Sequence, residues 1–191
     1  MVRKLTKRDY ITTAWSGGAS TQLVIEPEGA SYADRDFLWR VSSASVELEA
    51  SDFTPLPDYE RLISTLKGAI TLTHNEGLPI ALHPYEVHAF SGADMTRSLG
   101  RCTDFNLMLR RGKAVGSMEL LKLTETPTAP SAAAHSLRHD AAEQLLLCCI
   151  EGTAQINQIP LAPGETLLLS GETNLKLTGP AMLMLCRMRR L

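Results

Sequence analysis

The chain has 191 residues, 44% of them hydrophobic and 21% charged, with a formal net charge of −2 at pH 7. That is enough chain to bury a core without disulfide or metal staples, in the ordinary mix of a globular protein. The charge balance excludes a phosphate-driven partner such as nucleic acid, which demands a clear basic excess on one face; the locally basic stretch is Arg187-Met188-Arg189-Arg190, read as a solvated tail.

Residues 1–10 are mixed basic and polar with no apolar segment of the secretory kind, and no apolar run reaches the length of a spanning helix, so a cytoplasmic protein without a membrane partner is expected. Residues 1–14 read as a polar lead-in. Trp15-Ser16-Gly17-Gly18-Ala19-Ser20 sets an aromatic beside two glycines, as in a turn where backbone approaches another group closely. Residues 21–26 form a β-branched strand closed by Pro27, and residues 28–36 form a loop. In residues 37–48 alternation puts Leu38, Arg40, Ser42, Ala44, Val46 and Leu48 on one side, and Phe37, Trp39 and Val41 on the other. Arg40 thus lies on a mostly apolar face beside a hydroxyl. Its guanidinium needs a partner there, either an internal carboxylate or an anionic ligand.

Residues 51–59, with Pro55 and Pro57, are a turn-rich link, and residues 60–66 resume a strand that carries Arg61. Residues 103–111 alternate Phe105, Leu107 and Leu109 against Asp104, Asn106 and Met108. Residues 124–134 are a linker by composition, and residues 132–144 are the best candidate for a short helix. Residues 145–150 and 181–186 are continuous apolar runs, as in strands buried on both faces.

One stretch occurs twice. Residues 80–92 align without a gap on residues 159–171, repeating Ile, Leu, Pro, Glu, Ser and Gly at the same offsets, and Leu66-Lys67-Gly68 precedes the first copy as Ile150-Glu151-Gly152 precedes the second. Proline cannot donate to a strand ladder, so each Pro-x-Glu marks the entry to a strand. Each copy reads as half of a small β-barrel, and two copies imply an all-β double-stranded β-helix arranged as two barrels, as in a bicupin. The expected division is residues 1–125 for the first barrel with N-terminal strands, 126–136 for a linker, and 137–191 for a smaller barrel completed by strands from the N-terminal half.

Candidate chemistry is sparse. The histidines are His74, His83, His88, His135 and His139, with no His-x-His pair, so neither a metal nor another cofactor is expected. His135 and His139 have helical zinc spacing but read as surface residues. Cys102, Cys148, Cys149 and Cys186 form no CxxC pair and read as reduced thiols whose burial in apolar strands raises the pKa. What remains is an anion-reading set: Arg40 and Arg61 as guanidinium forks, with Ser42, Thr21 and Asn106 as neutral partners and Trp15 at the mouth. The alternative set for general acid/base work is Glu86 with His88.

Read together, Trp15-Ser16-Gly17-Gly18-Ala19-Ser20-Thr21, Phe37-Leu38-Trp39-Arg40-Val41-Ser42, Asp52-Phe53-Thr54-Pro55-Leu56-Pro57 with Arg61, Leu66-Lys67-Gly68, Phe90-Ser91-Gly92 and Asp104-Phe105-Asn106-Leu107-Met108 with Arg111 resemble the HutD family, also called HutD/Ves, of the cupin superfamily. The resemblance covers residues 15–111 and implies a bicupin with no established catalysis. For HutD members it implies a proposed regulatory role in histidine utilisation through a small pathway acid such as urocanate or a formylated glutamate; for Ves members, an association with stress response. Ser16, Ala19 and Asp58 depart from the family pattern, and Ala19 puts a Cβ where glycine left room. The expectation is a non-enzymatic protein binding a small carboxylate, with a homodimer through barrel edges compatible. The alternative is a metal-free cupin enzyme acting on a sugar or small acid.

Overall fold

The computed structural model describes residues 1–124, 135–140, 142–171 and 173–191. Among them every long regular element is a β-strand, and no helix is long and apolar enough to cross a membrane. In chain order the strands are β1 (Val2–Leu5), β2 (Ile11–Trp15), β3 (Gly18–Glu26), β4 (Trp39–Val46), β5 (Ala50–Asp52), β6 (Tyr59–Lys67), β7 (Ile70–His74), β8 (Ile80–Leu82), β9 (His88–Ser91), β10 (Thr96–Leu99), β11 (Cys102–Arg110), β12 (Ala114–Leu123), β13 (His135–His139), β14 (Glu143–Gly152), β15 (Ala154–Ile156), β16 (Ile159–Leu161), β17 (Thr166–Ser170), β18 (Thr173–Thr178) and β19 (Ala181–Arg190).

They fall into two compact units, one of Tyr10–Val115 with Leu191, the other of Met1–Asp9 with Gly116–Arg190. The first unit holds a six-stranded sheet in the order β2-β3-β4-β11-β6-β9 and a four-stranded sheet β5-β10-β7-β8. The second holds a five-stranded sheet β1-β17-β14-β19-β12 and a four-stranded sheet β13-β18-β15-β16. The path β4-β11-β6-β9 recurs as β12-β19-β14-β17, and β5-β10-β7-β8 recurs as β13-β18-β15-β16. The 13-residue sequence repeat is therefore the visible part of a duplicated topology.

The duplication extends to individual hydrogen bonds. Glu86 Oε2 accepts the backbone N–H of His83 at 2.9 Å, and Glu165 Oε2 accepts that of Ala162 at 2.8 Å, so each Pro-x-Glu glutamate closes its own turn. The residue before each glutamate is left-handed, with φ of 71° at Tyr85 and 81° at Gly164, and donates its N–H to Thr65 or Cys149 at 2.8 Å. Gly68 and Gly152 also share a left-handed φ, and a Cβ at these sites would stand 2.4 Å from the Arg101 carbonyl oxygen or 2.0 Å from that of Pro180. Only glycine lets backbones approach so closely. A ladder irregularity recurs as well, between Thr103 and Asp104 opposite β6 and between Cys149 and Glu151 opposite β19.

The cores differ. In the second unit Leu145, Leu147, Cys149, Leu167, Leu169, Leu183 and Leu185 belong to one apolar cluster, and Leu146 and Cys148, on the opposite face of β14, are buried too. This matches the continuous apolar runs read from the sequence. In the first unit Ile63, Ile70, Leu72, Leu82 and Phe90 form one cluster and Phe37, Leu56, Tyr59 and Met108 another, while the same strands bury polar side chains.

Three expectations are corrected. The lead-in contains strands β1 and β2, held by pairing with β17 and β3, and the link contains β5, paired with β10. The expected helix within residues 132–144 is replaced by β13 and the start of β14, with residues 132–134 and 141 outside the described ones. Short segments of middling propensity take whichever structure gives their backbone groups partners, and β17, β3, β10 and β18 each offer a ladder on which β1, β2, β5 and β13 become the edge strands. His135 and His139 accordingly lie on a strand, without the helical zinc spacing. Of the expected linker, residues 126–134 lie outside the described residues, and His135 and Ser136 are already in β13.

Gly152→Ala and Gly112→Ala test the backbone-approach argument, since both glycines are left-handed but a Cβ at Gly112 meets nothing within 4 Å. Urea denaturation is expected to show a loss of about 1 kcal/mol at Gly112 and of several times that at Gly152. Equal losses would mean that the contact with Pro180 relaxes freely.

Candidate functional site

In the first unit the register of β4, β11, β6 and β9 lines up side chains in rows that share one sheet face. Arg40 lies opposite Met108, Met108 opposite Arg61, and Arg61 opposite Phe90. In the next row Ser42 lies opposite Asn106, Asn106 opposite Ile63, and Ile63 opposite His88; beyond it Asp104 stands between Ala44 and Thr65. Arg40, Ser42, Arg61, Thr65, Asp104 and Asn106 are all buried. These six polar groups lie among Met108, Ile63 and Phe90 of the apolar clusters and make a polar patch of this buried face, the cup.

The two arginines are supported differently. Arg40 Nε donates to Gln22 Oε1 at 2.8 Å and Nη1 to Ser42 Oγ at 2.9 Å, and its guanidinium carbon lies 4.6 Å from the ring centre of Tyr32. Arg61 lies 4.9 Å from the ring centre of Phe53 and 5.0 Å from that of Phe90, and its Nε has no hydrogen-bond partner. Cation–π contact covers the faces of a guanidinium but not its N–H edge. Asn106 Oδ1 and Thr65 Oγ1 are likewise buried without partners. Among the described residues no carboxylate forms an ion pair with Arg40 or Arg61.

Burial lowers the pKa of Arg40, and lowers that of Arg61 to about 10, so both remain cations at neutral pH. Burial raises the Asp104 carboxyl to about 6, opposed by the Ala44 N–H that it accepts at 2.9 Å and by the fields of Arg61 and Arg40. The cup is therefore cationic, with a single weak carboxyl acid among its named members.

At its edge two imidazoles touch. His74 Nε2 and His88 Nε2 are 2.9 Å apart, and His74 Nδ1 is 2.8 Å from Thr96 Oγ1. Both rings stack near Phe90, at centroid distances of 4.8 and 5.9 Å. Burial, then His88 and Arg61, lower the pKa of His74, with Asp94 opposing.

Of the residues picked from sequence, Arg40, Ser42, Arg61 and Asn106 come together, with His88 in the Ser42–Asn106 row. Thr21 does not join them: it pairs with Ser43 on the other face, and its hydroxyl meets that of Thr12 at 2.9 Å. Its neighbour Gln22 takes the place expected of it, because an irregularity between Gln22 and Val24 sets the phase of β3. Trp15 ends β2 opposite Gly18 and is 40% exposed, away from the rows. Glu86 is committed to its own turn and is no partner for His88. Gln22, Tyr32, Phe53, Phe90, Asp104 and His74 complete the site. The alternation that puts Asp104 beside Asn106 is visible in sequence, whereas nothing local connects His74 with His88.

The thiols are no nucleophiles. Burial raises Cys102 to about 12 and Cys148 to about 11, and raises Cys149 and Cys186 as well. A resident metal of the kind found in cupins does not fit either. The two imidazoles of the cup spend their Nε2 atoms on one another, and among the described residues no three of His, Cys, Asp or Glu are grouped to hold an ion.

The second unit gives an internal control. Where Arg61 pairs with Phe90 and Met108, Leu145 pairs with Leu169 and Arg187; where Ile63 pairs with His88 and Asn106, Leu147 pairs with Leu167 and Leu185. Asp104 opposite Thr65 becomes Leu183 opposite Cys149. The same frame is polar in one copy and filled with leucine in the other.

Comparison with known proteins fits this frame. A family model described as HutD matches residues 7–185. The fold is similar to that of HutD from Pseudomonas fluorescens SBW25 in its formate condition, with a TM-score of 0.81, 18% identity and all of both chains covered. It is also similar to PA5104 from Pseudomonas aeruginosa PAO1, a conserved protein of unknown function, with a TM-score of 0.80 and 22% identity over 100% of this chain and 98% of that one. The pirin YhhW from Escherichia coli, in complex with nickel(II), follows with a TM-score of 0.71 and 11% identity over all of both chains. At these identities the likeness establishes a cupin-like β fold. No curated protein sequence matches the chain.

Asp104→Asn tests the electrostatics of the cup. A carboxyl raised to about 6 in the folded protein stabilises it below its unfolded pKa of about 3.9, and that stability is lost as pH rises through about 6. Asparagine keeps an oxygen for the Ala44 N–H and removes the buried charge. At about pH 8 the variant is expected to be more stable in urea by on the order of 2 kcal/mol, with the gap closing below about pH 4. A less stable variant at alkaline pH would show that Asp104 acts as a counter-ion for the arginines.

Proposed function

The chain belongs to the HutD family, and on that premise we propose that it is a non-enzymatic binding protein whose first unit takes up a small carboxylate. The observation that carries the reading is Arg61, a buried cation whose Nε lacks a partner, beside an equally unpartnered Asn106 Oδ1. Leaving such groups unmet costs several kcal/mol by rough measure, and the duplicated unit avoids that cost with leucines. A carboxylate accepting from Arg61, with an N–H or O–H of the same molecule donating to Asn106, satisfies both. Arg40 is held ready by Gln22 and Ser42 as the second fork.

The two units with one strand path support a bicupin, the second barrel serving as scaffold. A cytoplasmic regulatory role, in histidine utilisation or in stress response, is the setting the family suggests. The second reading is a metal-free enzyme acting on a sugar or small acid. In its favour is the His74–His88 contact, a candidate base inside the same cup, with Glu86 taking no part.

Thermal-shift screening against formate, lactate, succinate, glutamate, urocanate and simple sugar acids tests the binder. At least one carboxylate is expected to raise the melting temperature. Arg61→Met is expected to melt higher than wild type without ligand and to lose the shift, with affinity down about tenfold to a hundredfold; Arg40→Ala is expected to lose it too. Carboxylates that shift neither wild type nor variants, or a wild-type shift kept in both variants, would reject the reading. Turnover of a bound acid that is lost in His88→Gln would favour the enzyme.

A further inference from the structure

Resting on the carboxylate reading, we propose that the His74–His88 pair is a second contact of the same site: the pair takes up one proton as an anion settles on Arg61, and the proton enters at His88 Nδ1.

The geometry leaves one arrangement of hydrogens with an open ring nitrogen. In it Thr96 Oγ1 donates to the Asp94 carbonyl at 3.3 Å and accepts from His74 Nδ1 at 2.8 Å. His74 Nε2 is then a lone pair. His88 Nε2–H donates to it across 2.9 Å. His88 Nδ1 is thus the ring nitrogen of the pair without a partner among the described residues. A proton added there keeps every existing bond and gives His88 a second donor, directed outward. Both Nδ1 atoms then hold a hydrogen and the remaining one lies between the two Nε2 atoms at 2.9 Å, so the positive charge belongs to the pair. The chain from the Asp94 carbonyl through Thr96 and His74 to His88 therefore admits one added proton at His88 Nδ1, and His74 is its positioning residue.

The coupling to the anion follows from the surroundings. His88 lies opposite Ile63 on β9, one row from Arg61, and Phe90 touches both the His74 ring and the Arg61 guanidinium. The charged groups around the pair are Arg61 on β6, Arg40 on β4 and Asp104 on β11; Asp94 lies before β10 with its carboxylate on Asn75, and Glu86 before β9 is turned to the His83 N–H. Two cations outweigh the buried acid, and Arg61 opposes a proton on the pair. An anion that neutralises Arg61 removes that opposition and adds an acceptor, so anion and proton enter together. The second unit lacks the device, with Leu167 in the place of His88.

By linkage, the gain in affinity is fully present at acid pH and lost as pH rises through the range where the liganded pair titrates. Formate, whose own carboxyl titrates lower, serves as the probe, measured by titration calorimetry in buffers of different ionisation heat. Wild type is expected to take up close to one proton per formate near about pH 7 and to bind several tens of times tighter at about pH 6 than at about pH 8. His88→Gln and His74→Gln are expected to fold and to lose the acid gain, the ratio of formate affinities at about pH 6 and about pH 8 falling to near one; Asp104→Asn is expected to keep that ratio. Formate binding without proton uptake overturns the coupling and leaves the carboxylate site standing. Uptake that survives in His88→Gln and vanishes in Asp104→Asn assigns the proton to the carboxyl and overturns the proposal. No formate binding at any pH overturns the proton coupling, while the carboxylate reading stands or falls with the thermal-shift panel.

Discussion

Arg61 is the group the rest of the first unit has to accommodate. Its guanidinium is buried, still protonated at neutral pH, pressed between the rings of Phe53 and Phe90, and short of a hydrogen bond at Nε. An interior cation is tolerable only where the local field is arranged for it. The Asp104 carboxylate favours the charge on Arg61, but burial holds its own carboxyl up at about 6, so it is a weak counter-ion. Arg40 is spared a similar position by Gln22, Ser42 and the Tyr32 ring. The arrangement costs stability and leaves a cation edge without a partner, as the proposed binding of a carboxylate requires.

The duplication makes this trade legible. Both units use the same strand path, the same glutamate-closed turn, the same glycine contacts and the same ladder irregularity. Backbone architecture therefore does not require a polar interior. In the second unit a leucine stands at the counterpart of Arg61, of His88, of Asn106 and of Asp104, and the result is a continuous apolar cluster. One copy is optimised for packing, which leaves the other free to hold uncompensated charge.

Much of the site was within reach of alternation alone. Arg40 with Ser42, Asp104 with Asn106, and Arg61 on the adjoining strand each follow from period-two patterning in strands of clear β-propensity. Where phase was not fixed locally, the reading slipped. Thr21 faces away from the cup and Gln22 towards it, in a strand whose ladder shifts between Gln22 and Val24, and a one-residue change in phase moves a side chain to the opposite side of a sheet. Glu86 shared a nominal face with His88, but it lies in the turn before β9 and spends its carboxylate on a backbone N–H.

The sequence by itself determined the all-β class, the duplication and the family, because turn residues and apolar alternation are local and recur at fixed offsets. It also placed the thiols among buried apolar strands, where burial raises their pKa. Only the tertiary structure decided which polar residues face one another. Pairing of β11 with both β4 and β6 sets Arg40 and Arg61 on either side of Met108, and pairing of β10 with β7 and of β6 with β9 puts His74 and Thr96 in one sheet and His88 in the other. Those contacts join residues from 14 to 22 positions apart, as with His74 to His88 and to Thr96. A hydrogen bond across such a separation depends on strand order and register, which no local pattern encodes.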